Sequence, residues 1–233
     1  MLVCSVMFFL NCLFNRDGNF REFVNISAVL LFITFGSLSS ACSGEVVRIL
    51  AFGDSLIAGY GLRIESTFSK QLELALKKRG ITAKVINAGV SGDTTAGGLS
   101  RFDWSIKESI DAIIIELGAN DGLRGIEPSE TFKNLNAILD KSVEHRLEVL
   151  LAGMRAPPNL GKDYGKEYSK IYPNLAKKHD VILYPFFLEG VVNNTKLNQK
   201  DAIHPNAKGI KVIVKNILPY VMDLIEKVNS NKD

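Results

Sequence analysis

Beyond Cys42 the chain has no cysteine; its three are Cys4, Cys12 and Cys42. That absence excludes a disulfide framework, a thiolate metal site and a thiol nucleophile for residues 43–233. An excess of one charge is lacking too. The 28 basic and 25 acidic residues leave a net charge of +3, and no five like charges run together. The chain therefore carries no footprint for nucleic acid, no basic arm and no acidic tail. Histidine is scarce, with only His145, His179 and His204. Internal repeats, low-complexity stretches and an interdomain linker are absent. What is present is ordinary for a globular protein: 46% apolar and 23% charged residues over 233 positions, enough for one domain with a large core.

Residues 1–42 differ from the rest. Arg16 and Arg21 supply positive charge, Ile26–Leu38 is an apolar run, and Ser39-Ser40-Ala41-Cys42 follows. This is the order of an export signal with a small-residue cleavage site, and the run is short for a membrane span. A retained N-terminal anchor is the alternative. Cys42 is a candidate for lipidation, although Ser39 stands where a lipobox wants leucine. The expectation is an exported, periplasmic or secreted protein that meets a membrane only through this segment.

Residues 43–233 form the second unit. Val46–Phe52, Ala83–Asn87, Asp111–Leu117, Leu147–Ala152 and Val181–Tyr184 read as strands. Ile113-Ile114-Ile115 is apolar on both faces, as in a parallel sheet covered on both sides. Thr67–Arg79, Pro128–Glu144, Asp163–Lys178 and Pro205–Val228 read as helices, with Pro173 expected to disturb the third and Pro219 to kink the last. Five strands alternating with helices predict a doubly wound α/β domain, with its site at the carboxyl ends of the strands.

Chemistry-bearing residues stand at those ends. The first strand runs into Gly53-Asp54-Ser55-Leu56, which projects a serine hydroxyl from the sheet edge. The Gly-x-Ser-x-Gly elbow is absent, since Ile57 occupies the second glycine position. The second strand ends in Asn87-Ala88-Gly89-Val90-Ser91-Gly92-Asp93, where the Gly89 amide is a candidate oxyanion donor. The third ends in Gly118-Ala119-Asn120-Asp121-Gly122, where an asparagine side chain can aim at developing charge. Each of these glycine-rich stretches also reads as a plain turn. His204 precedes Pro205 at a helix entry, a poor place for a permanent cation, so a neutral imidazole base fits there. Asp201, three residues earlier, can fix its tautomer.

Four blocks in order resemble the GDSL, or SGNH, hydrolases: Phe52-Gly53-Asp54-Ser55-Leu56, Asn87-Ala88-Gly89 with Ser91-Gly92-Asp93, Gly118-Ala119-Asn120-Asp121, and Asp201-Ala202-Ile203-His204-Pro205. Ala58-Gly59-Tyr60-Gly61-Leu62, Asp121-Gly122-Leu123-Arg124-Gly125 and Ile171-Tyr172-Pro173-Asn174-Leu175-Ala176 resemble the bacterial arylesterase, acyl-CoA thioesterase I and lysophospholipase branch. The resemblance spans residues 46–225. It implies a flavodoxin-like three-layer α/β/α sandwich with a five-stranded parallel sheet. It also implies a serine esterase or thioesterase acting on small-molecule acyl esters or thioesters without metal or cofactor. Ser55 is then the nucleophile, His204 the base and Asp201 its orienter. The Ser55 and Gly89 amides and the Asn120 side chain form the oxyanion hole. Ser91, which also follows a strand, is the rival nucleophile. Leu123, Arg124, Met154, Pro158 and Tyr164 are candidates for the acyl pocket. A carbohydrate O-deacetylase of the same superfamily and a catalytically silent α/β binding module are the competing readings.

Overall fold

In a computed structural model, residues 46–106 and 109–232 are described. The leader expected at 1–42 lies outside them. Among the described residues, no helix is long and apolar enough to cross a membrane.

The five expected strands form one parallel sheet: β1 (Val47–Gly53), β2 (Ala83–Gly89), β3 (Ala112–Glu116), β4 (Glu148–Ala152) and β5 (Ile182–Tyr184). Their order is β2-β1-β3-β4-β5. Every residue of β3 is buried, as its unbroken isoleucine run requires of a central strand covered on both faces. The chain turns one way from β1 to β2 and the other way to β3. The switch point therefore lies between the ends of β1 and β3, where α/β sheets open a crevice.

Among the described residues, six α-helices lie between strands and a seventh follows β5: α1 (Ser55–Ala58), α2 (Phe68–Lys77), α3 (Thr95–Ser105), α4 (Ala119–Arg124), α5 (Pro128–Glu144), α6 (Lys162–His179) and α7 (Ala207–Ser230). Helices α2 and α7 pack on each other, while α5 packs on both α3 and α6. With the sheet between them they make the three-layer sandwich. Helix α7 buries Ile210, Ile213, Val214, Ile217, Leu218, Val221, Leu224 and Ile225, the stripe its 3.6-residue period predicts.

Two expectations about proline need correction. Helix α6 continues through Pro173, and α7 remains one helix through Pro219. A proline removes one N–H and frees the carbonyl four residues back. Here Pro173 and Ser169 are both exposed, as are Pro219 and Lys215, so water can reach each freed carbonyl. The apolar stripe on the opposite face holds each helix to the sheet. Helices α3 and α4 were not anticipated, and Gly118 to Gly122 is mostly helix rather than loop.

Candidate active site

The end of β1 sets the serine. Asp54 caps α1, its Oδ1 accepting the Leu56 N–H at 2.9 Å. This carboxylate cap turns the chain directly into the short helix that starts at Ser55. The Ser55 hydroxyl lies 2.9 Å from His204 Nε2, and His204 Nδ1 lies 2.7 Å from Asp201 Oδ2. Asp201 Oδ1 accepts the N–H groups of Ile203 and His204, both at 3.0 Å. The His204 amide and ring, then the Ile203 amide, pull the Asp201 carboxyl down to about 2. It is therefore ionised at neutral pH and holds the Nδ1–H tautomer, leaving Nε2 to accept the serine proton. Ser55, His204 and Asp201 are thus brought together.

Gln199 links the two halves of this arrangement. Its N–H donates to the His204 carbonyl at 2.7 Å. Its side-chain Nε2 donates to the carbonyls of Tyr60 at 2.7 Å and Pro205 at 3.1 Å. The segment carrying the histidine is so tied to the turn that follows the nucleophile. The Tyr60 ring lies against the imidazole with centroids 4.6 Å apart. Ala202, at φ 59°, supplies the left-handed turn between Asp201 and His204.

The amides left free at this end of the sheet differ from expectation. Gly89 is the last residue of β2, paired with Gly53, and its N–H donates to Asn87 Oδ1 at 2.9 Å. A Cβ there would run into the Ala58 backbone of α1. Gly89 is a glycine so that α1 can sit on the strand end, and its amide is already used. Gly92 offers the amide instead. It occupies a turn at φ 83°, closed by the Asp93 N–H on the Val90 carbonyl. Among the described residues, the N–H groups of Gly92 and Ser55 have no hydrogen-bond acceptor. Asn120, on α4, holds the two segments together. Its Nδ2 donates to Asp54 Oδ2 and to the Asp93 carbonyl, both at 2.9 Å. Asn120 is therefore flanked by the two free amides.

Two further residues escaped the sequence reading. Arg101 on α3 donates to Asp93 Oδ2 at 2.6 Å and to the carbonyls of Ala88 and Gly53, each at 2.9 Å. It fastens the ends of β1 and β2 beneath the nucleophile. Asp121 is fully buried and accepts the Thr95 N–H at 2.9 Å, the Thr95 hydroxyl at 2.5 Å and the Thr131 hydroxyl at 3.2 Å. It joins α3, α4 and α5. Asp121 stands in the third sequence block and Arg101 in none, but neither role is legible locally, because the partners are distant in the chain.

The acyl-pocket candidates separate. Leu123 is 55% exposed on α4, and Arg124 beside it donates to the Gly92 carbonyl at 2.8 Å, so this pair borders the site. Met154 is 3% exposed and packs into the core, leaving almost no face for an acyl chain. Pro158 is exposed at the start of a 3₁₀ turn. The Tyr164 hydroxyl is committed to the Ile126 carbonyl at 2.6 Å, and its ring stacks on Tyr168. Ser91, the rival nucleophile, is exposed and has no side-chain hydrogen bond to a histidine. Among the described residues, no cluster of His, Cys, Asp and Glu is arranged to hold a metal ion.

Comparison with known proteins identifies the family. The model of the GDSL-like Lipase/Acylhydrolase family matches residues 51–212. An arylesterase of Vibrio mimicus is 37% identical over 183 residues, covering 78% of this chain and 90% of its own. Thioesterase 1/protease 1/lysophospholipase L1 of Escherichia coli is 34% identical over 210 residues, covering 90% of this chain and 94% of its own. The crystal structure of AlinE4, an SGNH-hydrolase family esterase, superimposes with a TM-score of 0.66 at 49% identity, covering 77% of this chain and 97% of its own. The chain belongs to the GDSL-like lipase/acylhydrolase family, the SGNH hydrolases, and is a hydrolase acting on ester bonds.

Proposed function

We propose that this hydrolase cleaves carboxylic esters and acyl thioesters through a covalent acyl-enzyme on Ser55. The observation that carries the reading is the unbroken chain from the Ser55 hydroxyl through His204 to Asp201, at 2.9 and 2.7 Å. His204 Nε2 removes the hydroxyl proton as Ser55 Oγ attacks the acyl carbon. The tetrahedral oxyanion is met by the amides of Ser55 and Gly92, and by Asn120 Nδ2 once it exchanges the Asp93 carbonyl for the substrate oxygen, because without substrate both its N–H groups are engaged. Supporting this set are the two unpartnered N–H groups and their shared neighbour Asn120. Collapse expels the alcohol or thiol, which takes the proton back from His204. Water, activated by the same imidazole, then frees the acid.

The names of the relatives suggest the substrate class: aryl esters, acyl thioesters and lysophospholipids. Leu123 and Arg124 border the Gly92 turn, where the acyl chain or head group would lie. The leader pattern at 1–42 supports export to the periplasm or beyond. The test is a chain-length series of p-nitrophenyl esters and acyl thioesters on residues 44–233, with Ser55→Ala in parallel. Hydrolysis abolished in the folded variant is the expected result. Retained activity in Ser55→Ala overturns the assignment. Optimal turnover on carbohydrate acetates, with none on longer acyl groups, would favour the deacetylase reading.

A further inference from the structure

Beneath the nucleophile lies a buried group with no place in the reaction scheme above. Glu116 ends β3 and is 0% exposed. Its Oε2 accepts only the Asp54 N–H, at a long 3.3 Å, and its Oε1 has no donor. Asp54, 1% exposed, sits directly beside it, tied by that N–H, and its carboxyl charge raises that of Glu116. Two buried carboxyls side by side do not both ionise, so a proton stays on the pair. A glutamate in full burial with one weak donor also cannot hold a charge. Arg101, whose guanidinium reaches the Gly53 carbonyl at the same strand end, is spent on Asp93 and on the carbonyls of Gly53 and Ala88. The Tyr172 hydroxyl, which faces Glu116, donates to the Leu117 carbonyl, and the Tyr168 hydroxyl, which faces Asp54, donates to the Gly118 carbonyl. Among the remaining titratable groups, His204 faces Asp54.

The acceptor demand falls on Asp54. Its Oδ1 takes the Leu56 N–H that starts the serine helix, and its Oδ2 takes Asn120 Nδ2. The same carboxyl therefore orients both the nucleophile's helix and the asparagine assigned to the oxyanion hole.

We propose that Glu116 is a positioning residue that carries the proton of the Asp54–Glu116 pair and, by donating it to Asp54, holds Asp54 as the acceptor that aims Asn120 and caps the Ser55 helix. The aiming of Asn120 rests on the oxyanion assignment made above. Burial pushes both carboxyls up, Asp54 to about 6 and Glu116 well above the usual range, which agrees with Glu116 as the proton's holder at neutral pH. A Cβ at Gly53 would collide with Ile57 and with both the carbonyl and the carboxyl of Glu116, so only glycine lets the Glu116 side chain lie there.

The test compares Glu116→Gln with Glu116→Leu. A glutamine amide donates as the protonated acid does, so Glu116→Gln keeps kcat within about threefold. The leucine gives Asp54 no donor, and kcat falls about 10- to 100-fold at unchanged KM, somewhat less than removal of an oxyanion donor outright. Infrared difference spectra of the wild type at neutral pH contain a protonated-carboxyl stretch that Glu116→Gln removes. A Glu116→Gln variant as inactive as the leucine variant overturns the proposal, as does a wild-type spectrum lacking the band. Should Glu116→Leu fail to fold, the glutamine variant and the spectrum still decide. The band must persist in Ser55→Ala, so the shared proton is tested even if no ester is hydrolysed.

Discussion

Two tyrosines on α6 hold the backbone that leads into Asn120, and their hydroxyls differ in a way that predicts unequal losses. The Tyr172 hydroxyl donates to the Leu117 carbonyl at 2.9 Å, and among the described residues it is the only donor to that carbonyl. The Tyr168 hydroxyl donates to the Gly118 carbonyl at 2.6 Å, which also receives the Gly122 N–H at 3.0 Å. Both rings are buried, at 2% and 0% exposure. Tyr172→Phe strands a buried acceptor and should cost about 1–3 kcal/mol, whereas Tyr168→Phe loses one bond of two and should cost about 0.5–1.5 kcal/mol. In a domain of this size each kcal/mol lowers Tm by about 2–4 °C. The expected losses are therefore near ~6 °C for Tyr172→Phe and ~3 °C for Tyr168→Phe, read by urea titration and thermal scans. Because this backbone carries Asn120, kcat should fall further in Tyr172→Phe than in Tyr168→Phe, with KM unchanged. Equal losses, or a larger loss in Tyr168→Phe, would refute the bond accounting.

Gln199→Ala removes the two side-chain bonds that tie the His204 segment to the Tyr60 turn. It should lower kcat about tenfold, since small misplacements of reacting groups are costly. Tm should drop by only a few degrees, and an unchanged kcat would show that the tie does not set the Ser55–His204 distance. Glu116 also predicts a pH effect on stability. Its folded pKa is raised, so the native state keeps a proton that the unfolded chain gives up above about pH 4.3. The stability it supports is complete below that pH and declines as pH rises through the window up to the folded value. Glu116→Gln does not titrate, so its Tm relative to wild type should rise from pH 5 to pH 8. A pH-independent difference would place the proton elsewhere.

Much of this architecture was legible in the residues themselves. Continuous apolar strands, the α7 stripe and the histidine at a helix entry are local patterns, and Ser55, Asp201 and His204 stand in them. What stayed hidden depends on contacts across the chain. Gly89 and Gly92 look alike in the sequence, yet only the packing of α1 on Gly89 and the Asn87 side chain tell which amide is free. Helix α3 was obscured by Gly97 and Gly98. Those glycines weaken helix propensity, but they let Asp93 and Leu117 approach closely. Pro173 and Pro219 read as breaks because the sequence does not say that both face water. Met154 read as a pocket residue from its place in a loop, while the core claims its side chain. The charge state of Glu116 was equally invisible, since it follows from burial beside Asp54, 62 residues away in sequence.

The central claim is that Ser55 is the attacking atom's residue, activated by His204. Reaction with an activated phosphonate ester, followed by mass mapping of the adduct, tests it most directly. The account predicts one phosphonyl group per chain on Ser55, formed far more slowly in His204→Ala. An adduct on Ser91, or none on a folded protein that hydrolyses esters, would contradict it.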